Sequence, residues 1–426
     1  MPFSPTSYLN LTNSVLGAGV LTLPYAFSLT GIYLGLILLS TFALLSAISL
    51  KFLDESLTAS STPPPPSPPS PSSTNMTVSL LLPSSKPPPL PLPQPPTTYA
   101  SLSLHYLGPP ISRLTTLSTI LYSYGSSLSY FLITLNLLTS LTSLPRLPCA
   151  IAVCIPTLPL TAMRDISSLR HASLLAMLCV LYLAFVLAYR YSQSNEQEGC
   201  ERLGWDWKVG DVLRATPLFC FAFNCQVQYP TIRASSNEDE NDDEQDDNDD
   251  HEDLRNPSVP PTPTHPPQSL LISLTMLTCA LVYSLSSLTG YSTFCSTTPP
   301  NVLDGFPDDD PLVRAARWAF AVVLLCSYPL YGSAIVREIG ELSGEEQMSF
   351  GGRFMWSAAI VGTTAVVAYF EPPLDRITGI TGAVGGGALV YVLPGAIRWK
   401  AGGGGGRIMA IGGTIVMILG TWAVMR

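Results

Sequence analysis

The first fifty residues contain no charged side chain; Lys51 is the first. Across all 426 residues only 12% are Asp, Glu, Lys or Arg, against about a quarter in a soluble domain. That scarcity excludes a soluble protein built around one large core, and 47% of the chain is hydrophobic instead. Histidine is also sparse: His105, His171, His251 and His265 are the four, and none is spaced for a metal. Nine cysteines include no CxxC pair, so zinc and dithiol redox chemistry lack their ligands. No basic patch interleaved with aromatics occurs, which excludes nucleic acid as a partner. No ionisable pair falls inside the apolar runs, so neither a catalytic dyad nor a proton relay is expected there, and the chain does not read as an enzyme. The opening stretch has no basic leader and continues into a second apolar run. It reads as a retained helix, not a cleaved signal.

The charge that is present is segregated. Twelve acids crowd into residues 238–253, and without them 18 acidic residues face 21 basic ones. The net charge of −9 therefore belongs to one segment, a solvated tether. Fifteen of the forty prolines lie in residues 58–97, among Ser and Thr, a composition that favours extended or disordered chain. Apolar runs fill the rest, each about 20 residues long, the length that crosses a hydrocarbon core of about 30 Å. Two lie within residues 8–50, a third between Arg113 and Arg146, and a weaker, proline-broken fourth from Leu147 to Met163. Others follow at 171–189, 212–231, 268–291, 315–336, 354–370, 377–397 and 408–425. The expectation is an all-α polytopic membrane protein of eleven transmembrane helices. Its division would be spans 1–2 in residues 1–57, a Pro-rich disordered loop at 58–97, spans 3–6 in 98–233, an acidic disordered loop at 234–267 and spans 7–11 in 268–426. Basic clusters at span ends (Arg164 with Arg170; Arg398, Lys400 and Arg407) place the N-terminus and both loops in the cytosol. Cys200 and Cys295 then share the outer side, where a disulfide between them is expected.

The first run is long enough to cross a bilayer, yet Gly17, Gly19 and Pro24 interrupt its middle. Gly costs a helix interior about 1 kcal/mol and Pro about 3 kcal/mol relative to Ala. A helix broken at membrane depth survives where its freed backbone lines a cavity. At Gly17-Ala18-Gly19 the freed N–H groups and the positive end of the next half-helix can hold a carboxylate without a cationic side chain. The competing reading is that these glycines only let helices pack closely. The sixth run carries Phe219, Phe221 and Phe223 at alternate positions, which suits no single helical face, together with Asn224, Gln226 and Gln228. An unwound centre lining a cavity would explain both features, and two interrupted helices in corresponding halves mark a transporter's solute site. Tyr122, Tyr124 and Tyr130 lie on a polar stretch of the third run, as candidate lining residues or as hydroxyls satisfied within the bundle. Ser327, next to the freed backbone of Pro329, joins Asn13 and Ser14 as candidate oxygen ligands for sodium. The tenth run's Gly379, Gly382 and Gly385–Gly387 read as close packing or a sliding surface.

The stretch from Asn10 to Phe27 resembles the first-helix signature of the amino acid/auxin permease family, near its sodium-coupled neutral and vacuolar amino acid transporter branches. Further likenesses lie at Arg164–Arg170, Phe221–Gln226, Tyr229–Ile232, Gly290–Phe294, Ser327–Leu330 and Gly379–Pro394. The resemblance implies a leucine-transporter-type 5+5 inverted repeat with broken helices 1 and 6. It implies an amino-acid site in which Gly17, Ala18 and Gly19 hold the carboxylate and Phe219–Asn224 meet the amine and side chain. Asn13 and Ser327 fall at the sodium positions. The chain is thus expected to be a secondary active transporter of small neutral amino acids, working by alternating access with sodium or protons, in a plasma or vacuolar/endolysosomal membrane. No cofactor beyond a coupling ion is expected. The alternative is an amino-acid-sensing membrane protein that signals through its cytosolic loops to partners of the acidic segment.

Overall fold

The computed structural model describes residues 5–61, 98–163, 170–193, 207–234, 268–344 and 348–426. Most of the Pro-rich and acidic loops, the Arg164–Arg170 motif before its last residue and Cys200 lie outside them. Within the described residues every regular element is a helix. Early in the chain are α1 (Pro5–Val15), α2 (Gly19–Thr30), α3 (Ile32–Ser61), α4 (Tyr99–Leu107), α5 (Pro109–Thr142), α6 (Arg146–Ala162) and α7 (Arg170–Gln193). Then come α8 (Val209–Ala222), α9 (229–234), α10 (Gln268–Phe294), α11 (Pro311–Ser343) and α12 (Phe350–Tyr369). After α13 (Leu374–Ile380) the chain widens into a π-helix (Thr381–Val392), followed by α14 (Leu393–Lys400) and α15 (Gly406–Met425).

Among the described residues six helical stretches are long and apolar enough to cross a membrane: Ile32–Ser60, Ser173–Gln193, Gln268–Thr297, Pro311–Ser343, Leu374–Lys400 and Gly406–Met425. Gly19–Thr30 and Arg146–Ala162 are apolar but shorter. On α15, Ile408, Ile411, Ile415, Ile418 and Trp422 are exposed. Their spacing of three and four puts them on one face, an apolar stripe suited to lipid.

Helix ends fall where local chemistry puts them. Gly31 (φ 76°) and Gly108 (φ 84°) occupy the left-handed region between consecutive helices, which glycine enters without a steric penalty. Asp310 caps α11 by accepting from Leu312 and Val313 amides, with Pro311 at the first helical position. Helix α11 extends past both ends of the apolar run at 315–336, with Arg317 and Glu338 buried on it. Helix α3 likewise runs to Ser61, beyond the expected start of the Pro-rich loop, and α4 is a short helix that periodicity did not announce. α11 packs most extensively on α5, while α2 is held between α8 and α10.

Candidate functional site

Helix α1 stops at Val15 and α2 starts at Gly19, so residues 16–18 lie outside regular helix. The Gly17 amide turns back to the Val15 carbonyl at 2.8 Å, and Val20 and Leu21 amides reach only to Gly17 and Ala18 carbonyls. Pro24 does not cause this interruption; it lies five residues inside α2. The chain opens at the pair of glycines, where the absent side chains let other groups approach. A Cβ on Gly17 would collide with the Tyr130 hydroxyl, and one on Gly19 would lie 2.8 Å from the Ala222 Cβ.

The second interruption is equally local. Helix α8 ends at Ala222, α9 begins at 229, and residues 223–228 join them. Phe219 and Phe221 are therefore inside regular helix, and only Phe223 lies in the break. Their alternate spacing reflects neighbours on several sides of α8, not unwinding. Phe219 meets Phe27 (6.2 Å) and stacks on Phe42 (6.1 Å), Phe221 faces Tyr122 (6.3 Å), and Phe223 meets Tyr283 edge-on (5.3 Å). Side chains secure the unwound turn: the Ser46 hydroxyl donates to the Phe223 carbonyl (2.8 Å), and the Gln226 amide donates to Ser46 (3.0 Å). Both side-chain polar atoms of Asn224 are buried without a hydrogen-bond partner.

The two breaks touch. Tyr283, from α10, donates from its hydroxyl to the Val15 carbonyl (2.6 Å) and lies 3.1 Å from the Ala222 carbonyl, bridging the end of α1 to the end of α8. The Gly17 amide in turn interacts with the Tyr283 oxygen, and the Ala18 amide with the Tyr130 oxygen. Tyr122 donates to the Asn224 carbonyl (3.3 Å), and Tyr331 packs edge-on against both Tyr122 (6.0 Å) and Tyr130 (5.4 Å). Four tyrosines thus line the junction of the breaks. Tyr122 and Tyr130 belong to the third run, whose tyrosines read as candidate lining residues, whereas Tyr283 and Tyr331 have no role assigned from sequence. Helical phase separates Tyr122 and Tyr130 from the third candidate of that run. Tyr124 instead packs beside Ile335, Val336, Met348 and Ile360.

The candidate sodium ligands are engaged as follows. The Asn13 amide donates to the Ser173 hydroxyl of α7 (3.3 Å), and the Ser14 hydroxyl to the Leu11 carbonyl of its own helix (2.7 Å). Ser327 lies on α11, while α1 packs on α7 and α10. Asn13 and Ser14 thus bond α7 and their own helix in this conformation.

Charged groups clasp the bundle at its ends. Asp54 of α3 accepts from the Tyr229 hydroxyl (2.8 Å) and pairs with Arg233 (3.1 Å), both on α9; Glu55 pairs with Arg398 (2.5 Å). At the opposite end, buried Arg317 pairs with Asp308 and donates to the Leu303 and Phe306 carbonyls. Hydrogen bonds from Ser140 and Arg317 hold the Asp308 carboxyl below its ordinary value. Burial pushes the Asp310 carboxyl upward, but Arg190 and the α11 amides outweigh it and leave Asp310 lowered as well. Cys295 is disulfide-bonded, and seven other cysteines are free.

The family described as "Transmembrane amino acid transporter protein" matches residues 4–62, 76–241 and 252–403. The chain is 22% identical over 403 residues to "Vacuolar amino acid transporter 5" of Schizosaccharomyces pombe, covering 92% of this chain and 83% of that one. It is 25% identical over 284 residues to human "Solute carrier family 38 member 8", covering 63% and 58%. Against "Sodium-coupled neutral amino acid transporter 7" of Danio rerio it is 22% identical over 252 residues, covering 56% and 48%.

Proposed function

The chain belongs to the transmembrane amino acid transporter family and is a multi-pass membrane protein, and from that premise we propose that it moves small neutral amino acids by secondary active transport. One observation carries the reading: two mid-depth helix breaks, at 16–18 and 223–228, abut and are bridged by Tyr283. Backbone donors and acceptors that a continuous helix would consume are thereby gathered at one point. A zwitterion needs both kinds of group, with the carboxylate on freed N–H groups and the ammonium on freed carbonyls. The Tyr130 hydroxyl fills the space beside Gly17 and the Tyr283 hydroxyl lies on the Val15 carbonyl, so the substrate would take their place. Neutral polar groups at this junction (Asn224 and tyrosine hydroxyls) favour a neutral side chain over a charged one.

In this reading α1 with α2 is span 1 and α8 with α9 is span 6 of eleven, related as corresponding elements of a 5+5 inverted repeat. Side chains now fill the space between the breaks, so binding requires Tyr130 and Tyr283 to withdraw as the half-helices tilt. That movement, alternately from each membrane face, is the alternating-access cycle, driven by a sodium or proton gradient. Purified protein in liposomes, offered a panel of labelled amino acids under imposed sodium or proton gradients, tests this directly. Accumulation of a neutral amino acid is expected. Saturable binding without flux under every gradient would instead favour a sensor.

A further inference from the structure

One buried acid takes no part in the site above. Glu338 lies on α11, five residues before its end, with only 2% of its surface exposed. Its Oε2 has no hydrogen-bond partner. The Thr116 hydroxyl of α5 is beside it, and the charged groups acting on it are Glu341 and Arg337 of its own helix; no other titratable group acts on it from α5 or any other described element. An ionisable side chain inside a membrane helix is by default a functional site.

From Thr116 a polar row continues along α5. Thr119, Ser123 and Ser127 are all buried, and none of their hydroxyls has a partner. Elsewhere on the same helix, hydroxyls bond their own backbone: Thr115 to Ile111, Ser129 to Gly125, Thr142 to Leu138. Thr119, Ser123 and Ser127 recur every four residues and share one face, and the buried Ser126 hydroxyl next to them is unpartnered as well. The row ends at Tyr130, whose hydroxyl meets Gly17 in the first break. From 116 to 130 it spans about 21 Å at 1.5 Å per residue. A dry hydroxyl left unpaired costs about 1–3 kcal/mol, so three in register fit a file of water better than a sealed helix contact. The carboxylate has one hydroxyl neighbour, too few oxygens for a hard metal cation, and the described residues contain no other His, Cys, Asp or Glu cluster suited to a metal. A proton needs only the free oxygen.

We propose that Glu338 is the proton-binding group that couples transport, connected to the substrate site by the hydroxyl row of α5. The step forms one O–H bond on Glu338, the proton arriving through water along the row from the substrate side, and breaks the same bond on release at the nearby end of α11. The proposal rests on the transport reading above and adds the coupling ion to it.

The test uses full-length protein in liposomes with a labelled neutral amino acid and no sodium. With one proton per substrate, a gradient of one pH unit supports about tenfold accumulation. Wild-type protein should show this, and Glu338→Gln should not accumulate substrate. Glu338→Gln should retain counterflow, the exchange of labelled for unlabelled amino acid at equal pH, because that cycle needs no net proton movement. Retained counterflow also shows that the variant is folded. Should Glu338→Gln lack counterflow, Glu338→Asp serves in its place, with proton-driven accumulation retained and its pH midpoint displaced. Proton-driven accumulation by Glu338→Gln equal to wild type overturns the proposal and leaves the transport reading intact, as does wild-type accumulation with sodium alone. Absence of both flux and counterflow in wild type overturns the reading itself.

Discussion

At the scale of single residues, glycine at 17 decides whether the first break can be entered. A methyl group there meets the Tyr130 hydroxyl, and overpacking of this kind costs about 1–3 kcal/mol. Gly17→Ala should therefore cut uptake by about tenfold and Gly17→Leu should abolish it, with membrane insertion unchanged for both. Adding Tyr130→Phe to Gly17→Ala removes the clashing oxygen and should restore part of the loss, read as initial uptake in liposomes. Asp308 supplies a second residue-scale expectation. Its folded carboxyl is lowered by Ser140 and Arg317, so the stability it adds is complete above the unfolded value of about 3.9 and disappears as pH falls through the folded one. Apparent melting temperature should be level near neutral pH and fall below about pH 4. Asp308→Asn should melt earlier at pH 7, because buried Arg317 loses its anion, and its acid limb should be shallower.

At the scale of elements, the informative contrast is between two interrupted helices that were read by different signals. Gly17-Ala18-Gly19 is legible because glycine lowers helix propensity where a membrane helix needs continuity. The second break is read partly through the alternating phenylalanines, of which Phe219 and Phe221 lie in regular helix before it. Those side chains meet four neighbouring helices, and a pattern without one apolar face describes a buried helix as well as an unwound one. Tyr283 was invisible to such reasoning, since a tyrosine inside an apolar run carries no mark of what its hydroxyl will reach. Tyr283→Phe removes the bridge from the Val15 carbonyl to the other break, a hydrogen bond worth about 1 kcal/mol, while the Gly17 amide still reaches that carbonyl. The purified variant should melt a few degrees lower and lose apparent substrate affinity. Unchanged values of both would show that the bridge is incidental.

At the scale of the whole molecule, helices that cannot be compared in sequence assemble into one arrangement of clasps and breaks. Asp54 with Arg233 and Glu55 with Arg398 join distant segments at one end, and Arg317 with Asp308 and Arg190 with Asp310 at the other. Arg317 is buried, but the other pairs are partly exposed and stabilise little individually, which suits groups that must part during a cycle. Deleting the acidic segment at 238–253 should leave flux within about twofold of wild type, since changes in the length of a low-complexity insertion are thermodynamically tolerated. Collapse of uptake with insertion intact would transfer the argument to a signalling role.

Composition and order along the chain determined that this protein lives in a membrane and that its first helix breaks at residue 17. Each is a local property: apolar length, residue bias and glycine content act on the segment that contains them. Only the tertiary structure decided that the breaks meet, that Tyr122, Tyr130, Tyr283 and Tyr331 surround them, and that α11 carries Glu338 into the interior. Those outcomes depend on helical phase and on which faces oppose one another. Neighbours a hundred or more residues apart fix both, through contacts that no local pattern encodes.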